Sequence, residues 1–418
     1  MITIDNIKAR EILDSRGTPT IEVDVIVNGV VSRASVASGA STGSQEALEL
    51  RDRENSRYHH KGVLQAVSNV NHEIKTYLVG KNFHSSVEVD QFLIDLDGTD
   101  NKSRLGANAI LAVSIATARA CASYHNLPLY SYLGGSVKLY KMPTPMINII
   151  NGGAHANNNL DFQEFMIIPT IATNFTDKLR IGAEIFYSLK KILQEKKIAT
   201  TVGDEGGFAP NFSCNAQALD VVMLAIQQAG FVAGQDINLA LDCAASEFYD
   251  QGLYILKNEN LKLNGEAMID YLAQLTSNYP IVSIEDGLHE QDFTGWHLLQ
   301  QTLGDKIQIV GDDVFVTNYN LIAQGIQKKI ANAVLIKPNQ IGTLLEVSLA
   351  VELAKSHGWQ TIISHRSGET EDTVIADLAV AWNCGQIKTG SITRTDRIAK
   401  YNQLLRIEEQ LQGLTVIE

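Results

Sequence analysis

Six short apolar runs in the second half of the chain each end at a residue type that commonly catalyses or binds. The ends comprise three carboxylates, two lysines and one segment rich in donors: Asp242, Glu285, Asp312, Lys337, Lys388 and Ser364–Gly368. Carboxylates bind hard divalent cations, and lysines act as bases or as anion ligands. The guanidinium, imidazole and hydroxyl groups of 364–368 suit a phosphate. These residues together indicate chemistry on an anionic substrate.

The spacing of these runs indicates parallel strands that alternate with crossover helices. From Glu285 onward the functional residues follow one another at intervals of 23 to 28 residues, about the length of one strand plus one helix. The runs are continuous and apolar, as in strands that are buried on both faces. A barrel of such strands presents its chemistry at their carboxyl ends. We therefore predict an α/β barrel, and an open doubly wound sheet is the alternative.

The three carboxylates predict a magnesium site. Asp242, Glu285 and Asp312 end three successive predicted strands, and three anions at one mouth repel each other unless a cation lies between them. Carboxylate oxygens are the ligands that Mg²⁺ prefers, whereas zinc and copper favour softer ones. The alternative is that the carboxylates pair with Lys or Arg, although no basic residue adjoins them in the sequence.

Lys337 and Lys388 offer a base and an anion ligand at the same mouth. A lysine acts as a base only when its pKa is depressed, and a nearby Mg²⁺ and a second lysine would depress it. One lysine could then take a proton while the other holds a substrate carboxylate. The alternative is that both lysines only balance the charge of the carboxylates.

Three further segments could contribute to this site. Glu205 lies in the glycine-flanked loop 203–207, and Glu164 follows Gln163 just before an apolar run. Glycines allow the backbone to approach a ligand closely. The small residues of Ser38–Gly43 form either the exit of a hairpin or a lid that closes over the barrel mouth.

Composition limits the classes of protein that fit the chain. Its 418 residues, 45% hydrophobic and 19% charged, suffice for a large barrel and a second globular domain. The formal net charge of −13 argues against nucleic acid or a membrane surface as the main partner. The four cysteines lie far apart, which favours free thiols in a reducing cytoplasm. No signal peptide or membrane-spanning stretch is evident, so we expect a cytoplasmic location.

The first third of the chain has a different organisation. Residues 21–27 alternate in polarity before Asn28-Gly29, which is the strongest short signal for a β-hairpin. Helical patterns follow at about 44–51, 62–79, 86–95 and 105–124. Strands followed by helices predict an α+β domain. We place this domain at residues 1–134 and the barrel at 141–418.

Taken together, these segments resemble the enolase (phosphopyruvate hydratase) family along nearly the whole chain. The resembling stretches are Ala9–Gly17 (AREILDSRG), Ser38–Gly43 (SGASTG), Asn151–His155 (NGGAH), Leu241–Glu247 (LDCAASE), Ser283–Leu288 (SIEDGL), Leu335–Gly342 (LIKPNQIG), Ser364–Asp372 (SHRSGETED) and Lys400–Glu409 (KYNQLLRIEE). The resemblance implies a small α+β domain followed by a modified (β/α)8 TIM-like barrel of order ββαα(βα)6. It also implies a hydro-lyase of glycolysis and gluconeogenesis, which reversibly dehydrates 2-phospho-D-glycerate to phosphoenolpyruvate through an enediolate.

The resemblance implies two Mg²⁺ ions in each active site. Asp242, Glu285 and Asp312 would hold the first ion. Ser41, in a mobile loop, would complete the second site together with oxygens of the substrate.

The resemblance also implies roles in proton transfer and in substrate binding. Lys337 would remove the C2 proton, and Glu205, assisted by Glu164, would protonate the departing C3 hydroxyl. His365, Arg366 and Ser367 would bind the phosphate, and Lys388 would bind the carboxylate. His155, Gln163 and Glu164 would also bind the ligand.

Members of this family are commonly dimers or are built from dimers. The resemblance implies that Arg10 faces Glu409, and Glu22 faces Arg406, across the interface of a homodimer.

Two alternatives to the expected function remain. One is a paralogue that acts on a related phospho or phosphono 2-hydroxy acid. The other is a non-enzymatic role as an adhesin or an RNA-processing scaffold, which no basic stripe supports.

Overall fold

The chain begins with an antiparallel sheet. The computed structural model describes residues 1–52, 56–136 and 139–413, and the sheet strands are β1 (Ile2–Leu13), β2 (Pro19–Val27), β3 (Val30–Ser35) and β4 (Asn82–Phe83). They lie in the order β3-β2-β1-β4. Asn28 and Gly29 join β2 to β3 with φ angles of +47° and +80°, as a two-residue hairpin turn requires. The predicted hairpin is confirmed.

Helices cover this sheet. They are α1 (Leu64–Asn69), α2 (Lys75–Leu78), α3 (Ser86–Asp97), α4 (Ala107–Tyr124) and α5 (Leu129–Gly134). A π-helical turn at Val70–Ile74 joins α1 to α2, so the helix predicted at 62–79 is continuous but locally irregular. The apolar helix α4 is buried almost all round. No helix of the described residues has the length and the apolar character that crossing a membrane requires.

The helix predicted at about 44–51 is wrong. The segment is irregular, and its backbone groups pair with distant parts of the chain. Ala47 N donates to Gln340 O, and Leu48 N donates to Asn101 O, both at 2.8 Å. Because these groups are paired in the tertiary structure, they cannot also form a helical ladder, and local propensity is overridden.

The rest of the chain alternates strands with helices. The strands are β5 (Thr144–Asn151), β6 (Glu164–Pro169), β7 (Ile237–Asp242), β8 (Tyr249–Asp250), β9 (Leu253–Leu256), β10 (Leu261–Leu263), β11 (Ile281–Glu285), β12 (Gln308–Gly311), β13 (Ala333–Ile336), β14 (Gln360–Ser364) and β15 (Gly385–Lys388). The helices are α6 (Phe175–Glu195), α7 (Asn215–Gln228), α8 (Gly265–Asn278), α9 (Phe293–Leu303), α10 (Tyr319–Lys328), α11 (Leu344–Ser356), α12 (Val374–Ala381) and α13 (Thr395–Leu411).

Eight of these strands close into a barrel in the order β11-β12-β13-β14-β15-β5-β6-β7. The ring is complete because β7 pairs with β6 on one side and with β11 on the other, which excludes the open sheet. Strand β6 is antiparallel to both of its neighbours, and the other neighbouring strands are parallel. Two helices follow β6, and one helix follows each later barrel strand. The predicted ββαα(βα)6 order is therefore confirmed.

The strand register brings the functional residues to one end of the barrel. Glu285 is level with Asp242, and Ser364 is level with Lys388. Glu164 is the first residue of β6 and is also level with Asp242. Because β6 runs in the opposite direction, it begins where its parallel neighbours end, and Glu164 therefore joins their mouth. Below the mouth the barrel is filled by an apolar cluster of Met146, Met166, Ile168, Ala240, Val310, Ala333, Leu335 and Ile362.

Polar contacts join the N-terminal sheet and its helices to the barrel. Arg119 on α4 donates to both carboxylate oxygens of Asp372 at 2.6 and 2.7 Å. Asp90 on α3 accepts a hydrogen bond of 2.9 Å from the backbone N of Leu345, in the first turn of α11. A carboxylate at this position satisfies a helix donor that has no partner within the helix.

Substitution of Asp90 by Asn is expected to remove a pH dependence of folding stability. Burial raises the pKa of Asp90 from 3.8 to about 7, and the hydrogen bond from Ser114 offsets this only in part. The folded state therefore binds this proton more tightly than the unfolded state. The stabilisation is complete below roughly pH 4 and is lost as the pH rises toward about 7. Asn keeps an acceptor for Leu345 and cannot ionise, so this slope should disappear.

Urea unfolding of both proteins at several pH values measures this effect. Asp95→Asn, on the exposed face of the same helix, is the matched control and should leave the slope unchanged. An equal slope in the wild type and in Asp90→Asn would contradict the assignment.

Candidate active site

The carboxyl ends of the barrel strands surround a cleft with about 250 Å³ of empty space. Most of the predicted site residues line it: Ser41, His155, Gln163, Glu164, Glu205, Asp242, Lys337, His365, Arg366, Ser367 and Lys388. Glu285 and Asp312 are not part of this lining, but they bond the two lysines that are. The structure thus brings the predicted residues from separate strands and loops to one mouth.

Lys388 lies at the centre of three buried carboxylates. Its Nζ is 2.8 Å from Asp242 Oδ2, 2.8 Å from both carboxylate oxygens of Glu285, and 3.0 Å from Glu164 Oε1. Its side chain is 2% exposed. Burial alone would lower the pKa of Lys388, but the surrounding carboxylates outweigh burial and hold the pKa well above its ordinary value. Lys388 is therefore a cation whose charge these carboxylates balance.

The three predicted magnesium ligands share the mouth without forming one contact group. Asp242 and Glu285 share Lys388, whereas Asp312 pairs with Lys337 and accepts from Gln340 Nε2 at 2.9 Å. In the described part of the chain, two other sets of three residues could each hold a metal ion, since one ligand atom from each residue lies within 4.8 Å of the others. They are His155–Glu164–Glu205 and Asp286–Asp312–Asp313.

The donor set and its charge nevertheless fit a divalent cation. Burial raises the pKa of Glu285 well above its ordinary value, and the charges of Asp242 and Asp312 raise it further, although Lys388 opposes them. The three carboxylates therefore repel one another, and when all three are ionised the two lysines leave an excess of negative charge. A hard cation with oxygen ligands would neutralise this excess, and Mg²⁺ has that character.

Lys337 follows β13 and is held in an ion pair with Asp312. Burial alone would lower the pKa of the Lys337 ammonium, but the charge of Asp312 outweighs burial and the pKa is raised. The depressed pKa expected for a base is therefore absent from this arrangement. Arg366 and Lys388 act in the expected direction, toward a lower pKa, but they are the weaker influences.

Glu164 and Glu205 form a second, asymmetric pair of carboxylates. Burial raises the pKa of Glu164 well above its ordinary value, and the charge of Glu205 raises it further. Burial also acts to raise the pKa of Glu205, but the neighbouring His155 and His365 outweigh it, and this pKa lies well below its ordinary value. Of the two, Glu164 therefore holds a proton more readily, and Glu205 ionises more readily. Such a divided pair is typical of acid and base residues.

His155 lies between these two carboxylates. Its Nδ1 is 3.8 Å from Glu164 Oε1 and 3.4 Å from Glu205 Oε2. Among the described residues, several buried polar atoms around the cleft have no hydrogen-bond partner, including Gln163 Oε1, Glu164 Oε2, His155 Nδ1 and His365 Nε2. Buried polar atoms are normally paired, so these unpaired atoms mark where a polar ligand fits.

Arg397 on α13 holds the 365–367 loop from behind. It is fully buried, and its Nη1 contacts both His365 Nδ1 and Arg366 O at 2.5 Å. Its Nη2 donates to Ser367 O at 2.6 Å and to Asp204 O at 3.1 Å. Because the guanidinium can only donate, His365 Nδ1 must accept, and the ring proton therefore lies on Nε2, which is 3.2 Å from Glu205 Oε1.

The small-residue loop Ser38–Gly43 is seated against the 366–368 segment. Ser38 and Gly368 exchange two backbone hydrogen bonds of 2.8 Å. Arg366 Nη2 donates to Ser41 O at 2.9 Å and also reaches Glu46. A Cβ added to Gly39 would lie 2.0 Å from Arg366 Nη2, so only glycine permits this close approach. The loop therefore covers the cleft, and the lid interpretation is favoured over a mere hairpin exit.

Sequence reasoning missed several residues of the site. Asn148 Nδ2 bonds Glu205 Oε2 at 3.0 Å, and Glu46 binds the Arg366 guanidinium at 3.0 Å. Gln340 and Arg397 hold site residues from behind. Gln340 lies within the stretch LIKPNQIG that was recognised in the sequence, but no role was assigned to it. The others carry no local signal, because their partners are remote in the chain.

Two family models match the chain. The model of the enolase N-terminal domain matches residues 4–133, and that of the enolase C-terminal TIM barrel domain matches residues 139–417. The chain belongs to the enolase family. Membership implies an enolase-type lyase with a phosphoglycerate substrate, and the family is in general dependent on Mg²⁺. The acidic mouth described above agrees with that dependence.

Substitution of Lys388 by Met is expected to destabilise the protein by roughly 3–5 kcal/mol, because it leaves buried carboxylates without their cation. Added Mg²⁺ should restore part of the loss, since a divalent cation can replace the missing charge. Thermal unfolding with and without Mg²⁺ measures both effects.

The matched control is Lys400→Met. Lys400 is also buried and bonds Glu369 at 2.9 Å, away from the three carboxylates. This variant should lose stability, and Mg²⁺ should stabilise it only as much as it stabilises the wild type. If Mg²⁺ stabilises Lys388→Met no more than Lys400→Met, the cation does not replace the charge of Lys388.

Proposed function

We propose that this chain catalyses the reversible, Mg²⁺-dependent dehydration of 2-phospho-D-glycerate to phosphoenolpyruvate. The observation that carries the proposal is the convergence, in one cleft, of a strand-end lysine and a pair of buried carboxylates whose pKa values are shifted in opposite directions. A lysine and a proton-bearing carboxyl group are the base and the acid that an elimination of water requires. Family membership supports the same reaction.

The difficult step is removal of the C2 proton. That proton lies beside a carboxylate, so its loss produces an enediolate with two negative charges on one group. Fixed cations in a site without water stabilise such charge, and this is usually the largest contribution to catalysis. Lys388, buried and protonated, supplies one fixed charge. Bound Mg²⁺, held by Asp242, Glu285 and Asp312, would neutralise the ligand carboxylates and the developing enediolate.

Lys337 is the proposed base. Its ammonium is now tied to Asp312, so it must leave this partner before it can accept a proton. Asp312 and Glu285, whose charges raise the pKa of Lys337, would both hold the divalent cation, which would offset those charges. Arg366 and Lys388 act to lower the pKa of Lys337.

Glu164 and Glu205 are proposed to deliver a proton to the leaving hydroxyl at C3. Burial and the charge of Glu205 favour the proton on Glu164, whereas His155 and His365 favour the ionised form of Glu205. Glu205 would therefore have to take up a proton before it can donate one, which requires a ligand whose charge raises its pKa. Glu164 is the proposed source of that proton.

The donors of the 365–367 loop are proposed to bind the phosphate. His365, Arg366 and Ser367 all line the cleft. His155 and Gln163 contribute further unpaired polar atoms. The lid, closed over this loop, would exclude water that quenches the enediolate, and Ser41 on the lid would complete a second Mg²⁺ site with substrate oxygens.

A spectrophotometric assay tests this function. The ultraviolet absorbance of the enol product should rise when 2-phosphoglycerate is added with Mg²⁺, and it should stay flat with a chelator. Lys337→Ala should lower the rate by at least about 10²-fold, the scale of general-base catalysis. Lys190→Ala, an exposed lysine of α6, is the matched control and should retain the wild-type rate. A folded wild-type protein without turnover would instead indicate a related 2-hydroxy acid as substrate.

We further propose that the protein acts in the cytoplasm as a homodimer, in glycolysis and gluconeogenesis. In a single chain Glu22 pairs with Arg10 at 2.6 Å, while Arg406 and Glu409 lie exposed on α13. These exposed charges are available for the proposed contacts with a second copy.

Arg406→Glu should therefore shift the sedimentation coefficient toward that of the monomer, and Arg180→Glu, on the exposed face of α6, should not. An unchanged dimer in Arg406→Glu would remove the support for this interface.

A further inference from the structure

We propose that Gln340 is a positioning residue that fixes the orientation of Asp312 and couples it to the segment that follows the lid. Gln340 ends the short 3-10 turn Pro338–Gln340, directly after Lys337, and it is fully buried. It does not line the cleft. The inference rests on the proposed function for its catalytic meaning, although its metal-binding consequence can be measured separately.

The side-chain amide of Gln340 bonds three partners from three parts of the chain. Its Nε2 donates to Asp312 Oδ1 at 2.9 Å and to Glu46 Oε1 at 3.3 Å. Its Oε1 accepts from Thr317 Oγ1 at 2.7 Å. An amide nitrogen has two hydrogens, and both are directed at carboxylates, one in the barrel and one in the segment after the lid.

The direction of this chain of hydrogen bonds is fixed by its first donor. The backbone N of Lys337 donates to Thr317 Oγ1 at 2.8 Å, and a backbone N–H can only donate. The Thr317 hydroxyl therefore accepts this bond, and it directs its own hydrogen to Gln340 Oε1. The carboxylate oxygens of Asp312 and Glu46 accept, which places the amide nitrogen of Gln340 on their side and its oxygen at Thr317. Asp312 Oδ1 is held by Gln340, which leaves Oδ2 directed at Lys337.

The backbone around Thr317 is strained in a way that serves this arrangement. Val316 and Thr317 have φ angles of +42° and +56°, although β-branched residues strongly avoid positive φ. Strain of this kind persists only where the surrounding structure imposes it, commonly at functional sites. Here it aims the Thr317 hydroxyl at Gln340, while Val316 packs beneath the lid, where a Cβ on Gly43 would meet it at 2.6 Å.

The connection to the lid passes through Glu46. Its carboxylate accepts from Gly43 N at 3.1 Å, at the end of the lid, and from the Arg366 guanidinium at 3.0 and 3.1 Å. Gln340 thus links a residue that orders the lid with a carboxylate that is proposed to hold Mg²⁺. Neutral groups that orient metal ligands from behind typically change metal affinity or activity by about 10–100-fold when they are removed.

Gln340→Met tests the inference, because Met preserves the length of the side chain and lacks both donors and the acceptor. The affinity of the protein for Mn²⁺ without substrate, measured by the electron paramagnetic resonance of free Mn²⁺, should fall about 10–100-fold. The value of kcat/KM should fall by a similar factor. Gln386→Met is the matched control, since the half-buried Gln386 also takes part in a glutamine hydrogen bond, accepting from Gln308 Nε2 at 2.8 Å, but at the other end of the barrel. It should leave the Mn²⁺ affinity unchanged.

Thr317 supplies a second, independent variant in case Gln340→Met folds poorly. Thr317→Val removes the hydroxyl with little change of shape and should weaken Mn²⁺ binding in the same direction. Thr317→Ser keeps the hydroxyl and should recover most of that loss. The double variant Gln340→Met/Thr317→Val should bind Mn²⁺ no more weakly than Gln340→Met, because both changes break one chain of bonds.

Two results would overturn the inference. One is a folded Gln340→Met whose Mn²⁺ affinity stays within about 2-fold of the wild type, and the other is equal weakening by Thr317→Val and Thr317→Ser. Failure of the proposed function is distinguishable from either result. A wild type that binds Mn²⁺ but does not turn over 2-phosphoglycerate contradicts the proposed reaction, while the Mn²⁺ measurements on the variants still decide the role of Gln340.

Discussion

Mutual repulsion among buried carboxylates is the constraint on which the rest of this structure depends. Glu164, Glu205, Asp242, Glu285 and Asp312 meet near one barrel mouth, and each is at most 6% exposed. In such a place, each charge must be balanced or be replaced by a proton. Lys388 lies within 3.0 Å of Glu164, Asp242 and Glu285, and Lys337 pairs with Asp312. Burial and the neighbouring carboxylates raise the pKa of Glu164 and of Glu285. The same imbalance that is costly for folding prepares the mouth for a divalent cation and for proton transfer.

The positions of these charges are fixed by hydrogen bonds from residues that lie behind the mouth. Arg397 ties the 365–367 loop to the carbonyl of Asp204, so the proposed phosphate donors and the loop of Glu205 keep a fixed relation. Gln340 holds Asp312 in a comparable way, and its second hydrogen reaches Glu46 beneath the lid. Preorganised groups of this kind need little rearrangement when charge develops, which is how a polar site lowers a reaction barrier. The N-terminal part of the chain contributes the lid and Glu46 to the site, and α3 and α4 of this part bond the barrel.

The sequence predicted those parts of the site that come from regular strands. Asp242, Glu285, Lys337 and Lys388 each end or follow a buried parallel strand, and the barrel brings such positions to one mouth whatever the details of packing. Glu164 could be proposed from resemblance, but only the antiparallel direction of β6 explains how the first residue of a strand joins residues that end strands. The segment 44–51 was wrongly predicted as a helix, because its backbone N–H groups bond Gln340 and Asn101, which are remote in the chain.

By itself, the sequence determined the barrel, the hairpin and the acidic character of the mouth, since periodicity and residue type follow from local burial and from the twist and direction of strands. Only the tertiary structure decided the pairing of charges. It placed Lys388 among three carboxylates, raised the pKa of Lys337 through Asp312 in place of the expected depression, and divided the pKa values of Glu164 and Glu205. The physical reason is that burial and the distance between charges set these energies. Neither quantity is a property of one segment, because each arises when residues remote in the chain are brought within a few ångströms of one another.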